Sequence, residues 1–205
     1  MHLDLPHQTW SGPPIDDEPI LARVPEPLAS ALRARNGCVA YQGGLHVRGA
    51  CAAPAWHALR AAWEGPLALH GLYDEVAADD VPFAEDALGD QFLLRDGAVL
   101  HLWAETGEVE PAAPSLEAFF AAVLAEPAQT LALEPLLAFQ GAGRTLEPGQ
   151  LLMAWPPFCV TASEQGVQLT PMDALERRVF LADVARQIRG LPEGAEVQLK
   201  LRDDD

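Results

Sequence analysis

The sequence has few cysteines, almost no lysine and no long hydrophobic run, and each shortage excludes a class of protein. Its three cysteines, Cys38, Cys51 and Cys159, are widely spaced and form no CxxC motif. This pattern argues against a disulfide framework and a zinc knuckle, so we expect a reducing, cytoplasmic setting. Charged residues interrupt every apolar stretch before about 18 residues, and no signal peptide is recognisable, so we expect a protein without a membrane span.

Basic residues are also scarce, because 13 of them stand against 30 acidic residues and give a net charge of −17. The excess is concentrated in residues 74–126, which contain thirteen acids and one base, Arg95. Such a chain repels phosphate groups, which argues against nucleic-acid and anionic-membrane binding. Two readings stay open: the charge serves only solubility, or it forms a negative face that attracts a basic protein partner.

The common catalytic and cofactor motifs are absent. The sequence contains no HExxH, GxSxG, GxxxxGK[ST] or GxGxxG, and its histidines are scattered without acidic partners at ligand spacing. Cys159 has no histidine near it in sequence that would activate it as a nucleophile. We therefore expect no catalytic residues, no metal and no cofactor.

Four carboxylates nevertheless lie close together between Phe83 and Trp103, and they are Glu85, Asp86, Asp90 and Asp96. Their spacing does not match a calcium-binding loop, in which glycine and the acids occupy other positions. A pair of catalytic carboxylates is neither supported nor excluded by spacing alone. Asp96 precedes a glycine and predicts a tight hairpin turn, and Asp90 is expected to begin a strand with its side chain in solvent.

Hydrophobic periodicity divides the chain into three parts. Residues 1–23 are rich in proline and predict an extended arm. Residues 24–126 alternate helical and strand patterns, including a hairpin around Asp96 and a helix capped by Ser115. Residues 127–205 predict an α+β extension packed on the first part, with the following elements: strands at 151–154 and 166–169, a helix beginning at Thr170, and a last strand at 197–201.

The order of these pieces resembles the SUKH superfamily, which includes fungal regulators of cell-wall assembly and many bacterial immunity proteins. The resemblance covers about residues 24–126. It rests on a helix ending at Asn36-Gly37, a strand opened by Gly43-Gly44-Leu45, a tryptophan-bearing helix, and the run from Phe83 to Val99 with its Asp86, Gly89 and Asp96-Gly97 positions.

The resemblance implies an α+β fold with a mixed, largely antiparallel sheet flanked by helices, and a binding role without catalysis. In the bacterial branch this role is to neutralise a cognate toxin by covering its active site. Since many nucleic-acid-cutting toxins are basic, an acidic face would speed association with them. The residues expected to form this face are Asp79, Asp80, Glu85, Asp86, Asp90, Glu105, Glu108 and Glu110, with Trp103 as a possible anchor.

Two other functions stay open at this point. The chain is alternatively a scaffold or regulatory module that docks partners through Trp155-Pro156-Pro157-Phe158 and the rest of residues 127–205. An unrecognised hydrolase that uses Glu85 and Asp86 is the third possibility.

Overall fold

A seven-stranded sheet forms the centre of the protein, for which a computed structural model describes residues 4–192 and 195. Its strands follow one another in space in the same order as in sequence, and every neighbouring pair is antiparallel. The strands are β1 Trp10–Ser11, β2 Cys38–Ala40, β3 Leu45–Val47, β4 Val81–Asp86, β5 Gln91–Arg95, β6 Ala98–Trp103 and β7 Glu108–Ala113.

The hairpin between β5 and β6 is confirmed, and its turn chemistry explains its register. Asp96 and Gly97 both have positive φ, at 50° and 86°, as the two central residues of a primed turn require. Arg95 therefore pairs with Ala98, and the two strands stay in register to Gln91.

The described residues form eight α-helices besides the strands. The helix capped by Ser115 is confirmed as α5, because the Ser115 side chain accepts the backbone N–H of Ala118 at 3.1 Å. Its Phe119 and Phe120 pack on Phe83 of β4. The helices are α1 Glu18–Leu21, α2 Glu26–Ala34, α3 Leu59–Trp63, α4 Leu69–Leu72, α5 Leu116–Ala125, α6 Pro127–Thr130, α7 Glu134–Gly141 and α8 Ala174–Ile188.

The N-terminal segment differs from the extended arm predicted for residues 1–23. Trp10 and Ser11 pair with β2 as the edge strand of the sheet, and residues 18–21 form α1. Ile20 and Leu21 are buried in the main hydrophobic core. Proline spacing failed to predict this because the segment gains its structure from contacts with distant residues.

The C-terminal part contains a hairpin of β8 Gln150–Trp155 and β9 Gln168–Asp173, followed by α8. Both predicted strands are present. The predicted helix start at Thr170 is wrong, because β9 continues to Asp173, whose side chain accepts the N–H groups of Leu175 and Glu176 and caps α8. The last predicted strand, 197–201, lies outside the described residues.

Residues 127–192 share a core with the first part of the chain. Leu131, Leu136, Phe139 and Leu152 belong to the same buried cluster as the sheet residues. The Leu152 N–H also donates to the Ala87 carbonyl oxygen at 2.7 Å, which joins β8 to the end of β4.

The expected α+β class is therefore confirmed, with antiparallel pairing between all named strands of both sheets. In the part of the chain that the structure describes, no helix combines the length and the apolar character needed to cross a membrane.

Candidate functional site

A buried network of charged side chains lies where β3 and β4 pair. Arg48 directly follows β3 and Glu85 belongs to β4, and both side chains are fully buried. The Arg48 Nη2 donates to Glu85 Oε2 at 2.5 Å and to Gln91 Oε1 at 2.7 Å, while its Nη1 donates to the Pro82 carbonyl at 2.9 Å. The guanidinium is thus held by acceptors from two neighbouring strands.

Two histidines extend this network. His46 Nδ1 lies 2.8 Å from Glu85 Oε1, and His46 Nε2 lies 2.9 Å from His57 Nδ1, whose Nε2 lies 2.9 Å from the Asn36 carbonyl oxygen. Burial acts to raise the pKa of Glu85, but the charge of Arg48 and the contact with His46 outweigh it and hold this pKa well below its usual range. Burial and the neighbouring His46 lower the pKa of His57 to about 3.

The space that adjoins this network in the described part of the chain is small. The space beside His46, Trp56 and Glu85 is about 10 Å³, which is roughly the volume that one water molecule needs. The network therefore serves to hold β3, β4 and the segment around His57 together.

The next residue after Glu85 orders the loop between β4 and β5. Asp86 Oδ1 accepts the N–H groups of Leu88, Gly89 and Asp90 at 2.9, 3.0 and 3.0 Å. Gly89 has a φ of 97°, which a residue with a side chain rarely adopts, and this allows the tight return of the chain. Asp90 is fixed in turn, because its Oδ1 accepts the Ala104 N–H at 2.7 Å.

His101 of β6 completes a group of three possible metal ligands with Asp86 and Asp90. One ligand atom from each residue lies within 4.8 Å of the other two. His101 Nε2 is 3.6 Å from Asp90 Oδ2, too far for a hydrogen bond. Burial and the neighbouring Asp90 raise the pKa of Asp86 well above its usual value.

A pocket of about 530 Å³ opens beside this group and includes Asp90 in its lining. Two large aromatic side chains of the lining are unusually exposed, Trp103 at 39% and Phe158 at 41%. Glu108 and Glu110 are exposed acids of the same lining, and the Trp103 Nε1 donates to Glu110 Oε2 at 3.1 Å. The mouth of the pocket thus combines aromatic surface with negative charge.

The lining of this pocket also includes a buried cation. Arg177 of α8 donates from its Nε to the Leu88 carbonyl at 3.2 Å, and its Nη2 lies 3.7 Å from Glu105 Oε1. Glu105 Oε2 accepts the Cys159 N–H at 2.8 Å. Burial and the Glu105 carboxylate raise the pKa of the Cys159 thiol to about 12, so this cysteine is no candidate nucleophile.

The structure brings together only part of the residues expected to bind a partner. Trp103, Glu105, Glu108 and Asp90 all line the pocket, and Glu110 joins them. Asp90 does so from a buried position, so the expectation that it faces solvent is wrong.

Three expected surface acids, Asp80, Glu85 and Asp86, are buried instead. A carboxylate is stable inside a protein only when it is paired or hydrogen-bonded. Glu85 is paired with Arg48, as described above, and Asp80 accepts Arg95 through both carboxylate oxygens at 2.6 Å. These acids cannot belong to an exposed binding face.

Asp79 is exposed but lies away from the pocket. It neighbours Asp80, which binds Arg95 at the end of β5, whereas Asp90 directly precedes the start of that strand. The five residues of β5 therefore separate the Asp79–Asp80 pair from Asp90 by roughly 17 Å. The expected acidic band is in fact two separate regions.

Sequence reasoning missed His101, Phe158 and Arg177 as members of the pocket region. A signal existed for His101, because it stands two residues before Trp103 on one strand and must share its face. The two rings are 4.1 Å apart between centroids. Arg177 gave no comparable signal, because its partners are far away in sequence.

No family model matches this chain, and no curated protein matches it. Among solved structures, it is similar to the crystal structure of Atu4351 from Agrobacterium tumefaciens. The two are 18% identical, the match covers 87% of this chain and 84% of that chain, and the TM-score is 0.55. At this level of identity the likeness shows a shared α+β fold.

Proposed function

We propose that this protein is a non-enzymatic immunity protein, which binds a basic toxin in the cytoplasm and covers the toxin's active site. The observation that carries the proposal is the pocket whose mouth joins exposed Trp103 and Phe158 to the carboxylates of Glu108 and Glu110. The order of sequence motifs that resembles the SUKH superfamily, with its many immunity proteins, supports the same role.

Aromatic and acidic groups contribute in different ways to such an interface. A tryptophan that becomes buried on binding is a common hot spot, and its loss costs about 2 kcal/mol or more. Carboxylates at the rim mainly accelerate association with a basic partner. Of the thirteen acids in residues 74–126, eight are exposed, so the surface of this segment stays negatively charged although the other five are not exposed.

The buried network around Glu85 supports the non-enzymatic part of the proposal. It joins an acid to two histidines, an arrangement that elsewhere serves proton transfer, but the space next to it is only about 10 Å³. That space is too small for a substrate larger than a water molecule.

The test uses the protein product of the adjacent gene, because a toxin and its antidote must be inherited together. We expect that product to be a toxin that co-purifies with this chain and is neutralised by it. Trp103→Ala should raise the dissociation constant at least about 30-fold. The double variant Glu108→Lys and Glu110→Lys should lower the association rate about 10-fold or more, with a reduced dependence on salt.

Two other exposed acids provide a matched control for the double variant. Glu117 and Glu126 are exposed and do not line the pocket, so replacing both by lysine makes the same change in net charge elsewhere. This control should bind nearly as well as the natural sequence. If both double variants lose the same association rate, the proposed binding face is wrong. If the natural sequence does not bind the toxin at all, the proposed role is wrong.

A scaffold or regulatory role is the second candidate, and it is favoured by the exposure of Trp155, at 39%, next to Phe158. Deleting residues 127–205 does not separate the two roles, because Leu136, Phe139 and Leu152 are core residues. Trp155→Ala is the better test. A partner lost with Trp155→Ala but kept with Trp103→Ala would favour the scaffold.

A further inference from the structure

We propose that Asp86, Asp90 and His101 form a binding site for a divalent transition-metal ion, with Zn²⁺ as the reference ion. The inference does not depend on the immunity role, because it rests on atoms beneath the pocket that need no protein partner. It concerns a chemistry that the sequence did not suggest, since Asp86 ends β4, Asp90 lies in the following loop and His101 belongs to β6.

Two of the three residues, Asp86 and His101, each have one buried side-chain atom without a hydrogen-bond partner. Asp86 is 1% exposed, and its Oδ2 is buried and makes no hydrogen bond in the described part of the chain. The same is true of His101 Nε2. Leaving a buried carboxylate oxygen unsatisfied is costly, so an unpaired atom of this kind indicates a missing partner.

Backbone hydrogen bonds orient the two carboxylates. Asp86 Oδ1 accepts three backbone N–H groups, and Asp90 Oδ1 accepts the Ala104 N–H. One oxygen of each carboxylate is therefore already occupied. The other oxygen of each group is left for a different partner. Metal ligands are commonly oriented by such hydrogen bonds to the atoms that do not contact the metal.

The local charge also favours a cation. Asp86, Asp90 and Glu105 are three carboxyl groups, and the charge of Arg177 acts on all three. When all are ionised their sum is −2, which a divalent cation would cancel. The attraction between such a cation and the carboxylates is stronger here than in water, because the ligands are largely buried.

The ligand set decides between classes of metal. One imidazole nitrogen with two carboxylate oxygens suits Zn²⁺, Mn²⁺ or Fe²⁺ better than Ca²⁺ or Mg²⁺, which prefer oxygen alone. Ligands at about 2.1 Å from a tetrahedral ion stand about 3.4 Å apart. The 3.6 Å between His101 Nε2 and Asp90 Oδ2 is close to this value, and one ligand atom of each of the three residues lies within 4.8 Å of the other two.

The experiment titrates the metal-stripped full chain with Zn²⁺, Ca²⁺ and Mg²⁺ in a calorimeter and by thermal unfolding, without a toxin. We expect one equivalent of Zn²⁺ to bind. A hundredfold excess over its dissociation constant should raise the melting temperature by about 5 to 10 °C. When Co²⁺ is bound in place of Zn²⁺, the protein should show the visible absorption that is typical of Co²⁺ with a low coordination number.

Two substitutions identify the ligands. Asp86→Asn keeps an oxygen for the three loop N–H groups, and His101→Phe keeps the ring that stacks on Phe92 at 5.0 Å. Each should weaken Zn²⁺ binding at least about 100-fold. Asp79→Asn, which removes one exposed carboxylate far from the site, should leave the affinity unchanged.

Several outcomes would overturn the inference. They are no Zn²⁺ binding at millimolar concentration, binding that survives both ligand substitutions, and equal affinity for Mg²⁺. If Asp86→Asn does not fold, His101→Phe and the Co²⁺ spectrum of the natural sequence decide the question alone.

Discussion

Arg48 and Glu85 form an ion pair inside the sheet, with both side chains fully buried and 2.5 Å between Nη2 and Oε2. We expect Glu85→Ala to lower the free energy of unfolding by about 3 to 5 kcal/mol, because it leaves the Arg48 charge buried without its counter-ion. Urea unfolding followed by circular dichroism measures this change.

The exposed pair between Arg33 and Glu26, with 3.0 Å between Nη1 and Oε1, is the control. Glu26→Ala should cost less than about 1 kcal/mol, because water screens this pair. If the two substitutions cost the same, the Arg48–Glu85 pair is not the structural centre that its burial indicates.

The stability of the protein should fall as the pH is lowered from about 6.5 towards 3. The pKa of His57 is lowered to about 3 in the folded state by burial and by His46, with Arg48 and Glu85 also facing the ring. In the unfolded chain a histidine takes up a proton near pH 6.5. Between these values the unfolded state binds more protons, so the free energy of unfolding rises with pH, by at most about 1.4 kcal/mol per pH unit for this residue.

Urea unfolding at several pH values from 4.5 to 7.5 tests this expectation. Replacing the exposed His70 with Gln should leave the slope unchanged, and His57→Gln should reduce it. Stability that instead falls as the pH rises through 6.5 would contradict the prediction. It would mean that a proton resides between His46 and His57, whose facing nitrogens are 2.9 Å apart.

Gly37 and Gly65 provide a matched pair of substitutions to alanine. Both have positive φ, 77° and 89°, so both variants pay about 1 to 2 kcal/mol of backbone strain. A Cβ at Gly37 would lie 2.3 Å from the Val47 carbonyl oxygen, whereas a Cβ at Gly65 meets nothing within 4 Å. Gly37→Ala should therefore lose at least about 2 kcal/mol more than Gly65→Ala in chemical unfolding. Equal losses would show that crowding at Gly37 is relieved by movement of the chain.

The three cysteines should react slowly with thiol reagents in the folded protein. Cys38 and Cys51 are buried, and burial raises the pKa of each to about 11. Cys159, the most accessible, has a pKa of about 12 and should react at pH 8 roughly 1,000 times more slowly than a free thiol. Absorbance with a chromogenic disulfide reagent measures the rate.

Glu105→Gln should accelerate the reaction of Cys159, because it removes the negative charge next to the sulfur. Urea should make all three thiols react quickly. A Cys159 that reacts at the free-thiol rate before unfolding would contradict the description of its surroundings.

Local signals were sufficient for part of the fold. The turn at Asp96-Gly97 and the helix capped by Ser115 could be predicted because each depends on residues within a few positions of one another. The burial of Glu85 could not, because its partner Arg48 is 37 residues away and an acid inside a strand ordinarily suggests a solvent-facing position.

The residues of the candidate site could likewise be predicted only where they are close in sequence. Trp103, Glu105 and Glu108 belong to one hairpin, so their proximity follows from local sequence. Arg177 is placed by α8, and its contact with Leu88 spans 89 residues. Arg177 is buried, whereas a charged residue on a helix is normally assigned to the solvent side.

The order of the seven strands has a consequence for how the chain acquires its structure during synthesis. Every ladder of the large sheet joins strands that are consecutive in sequence and lie within residues 10–113, so all seven strands leave the ribosome before the C-terminal part of the chain. The pocket differs, because Phe158 and Arg177 come from residues translated later. The pocket is thus completed late in synthesis, and a chain that has not been translated as far as Arg177 lacks part of its lining.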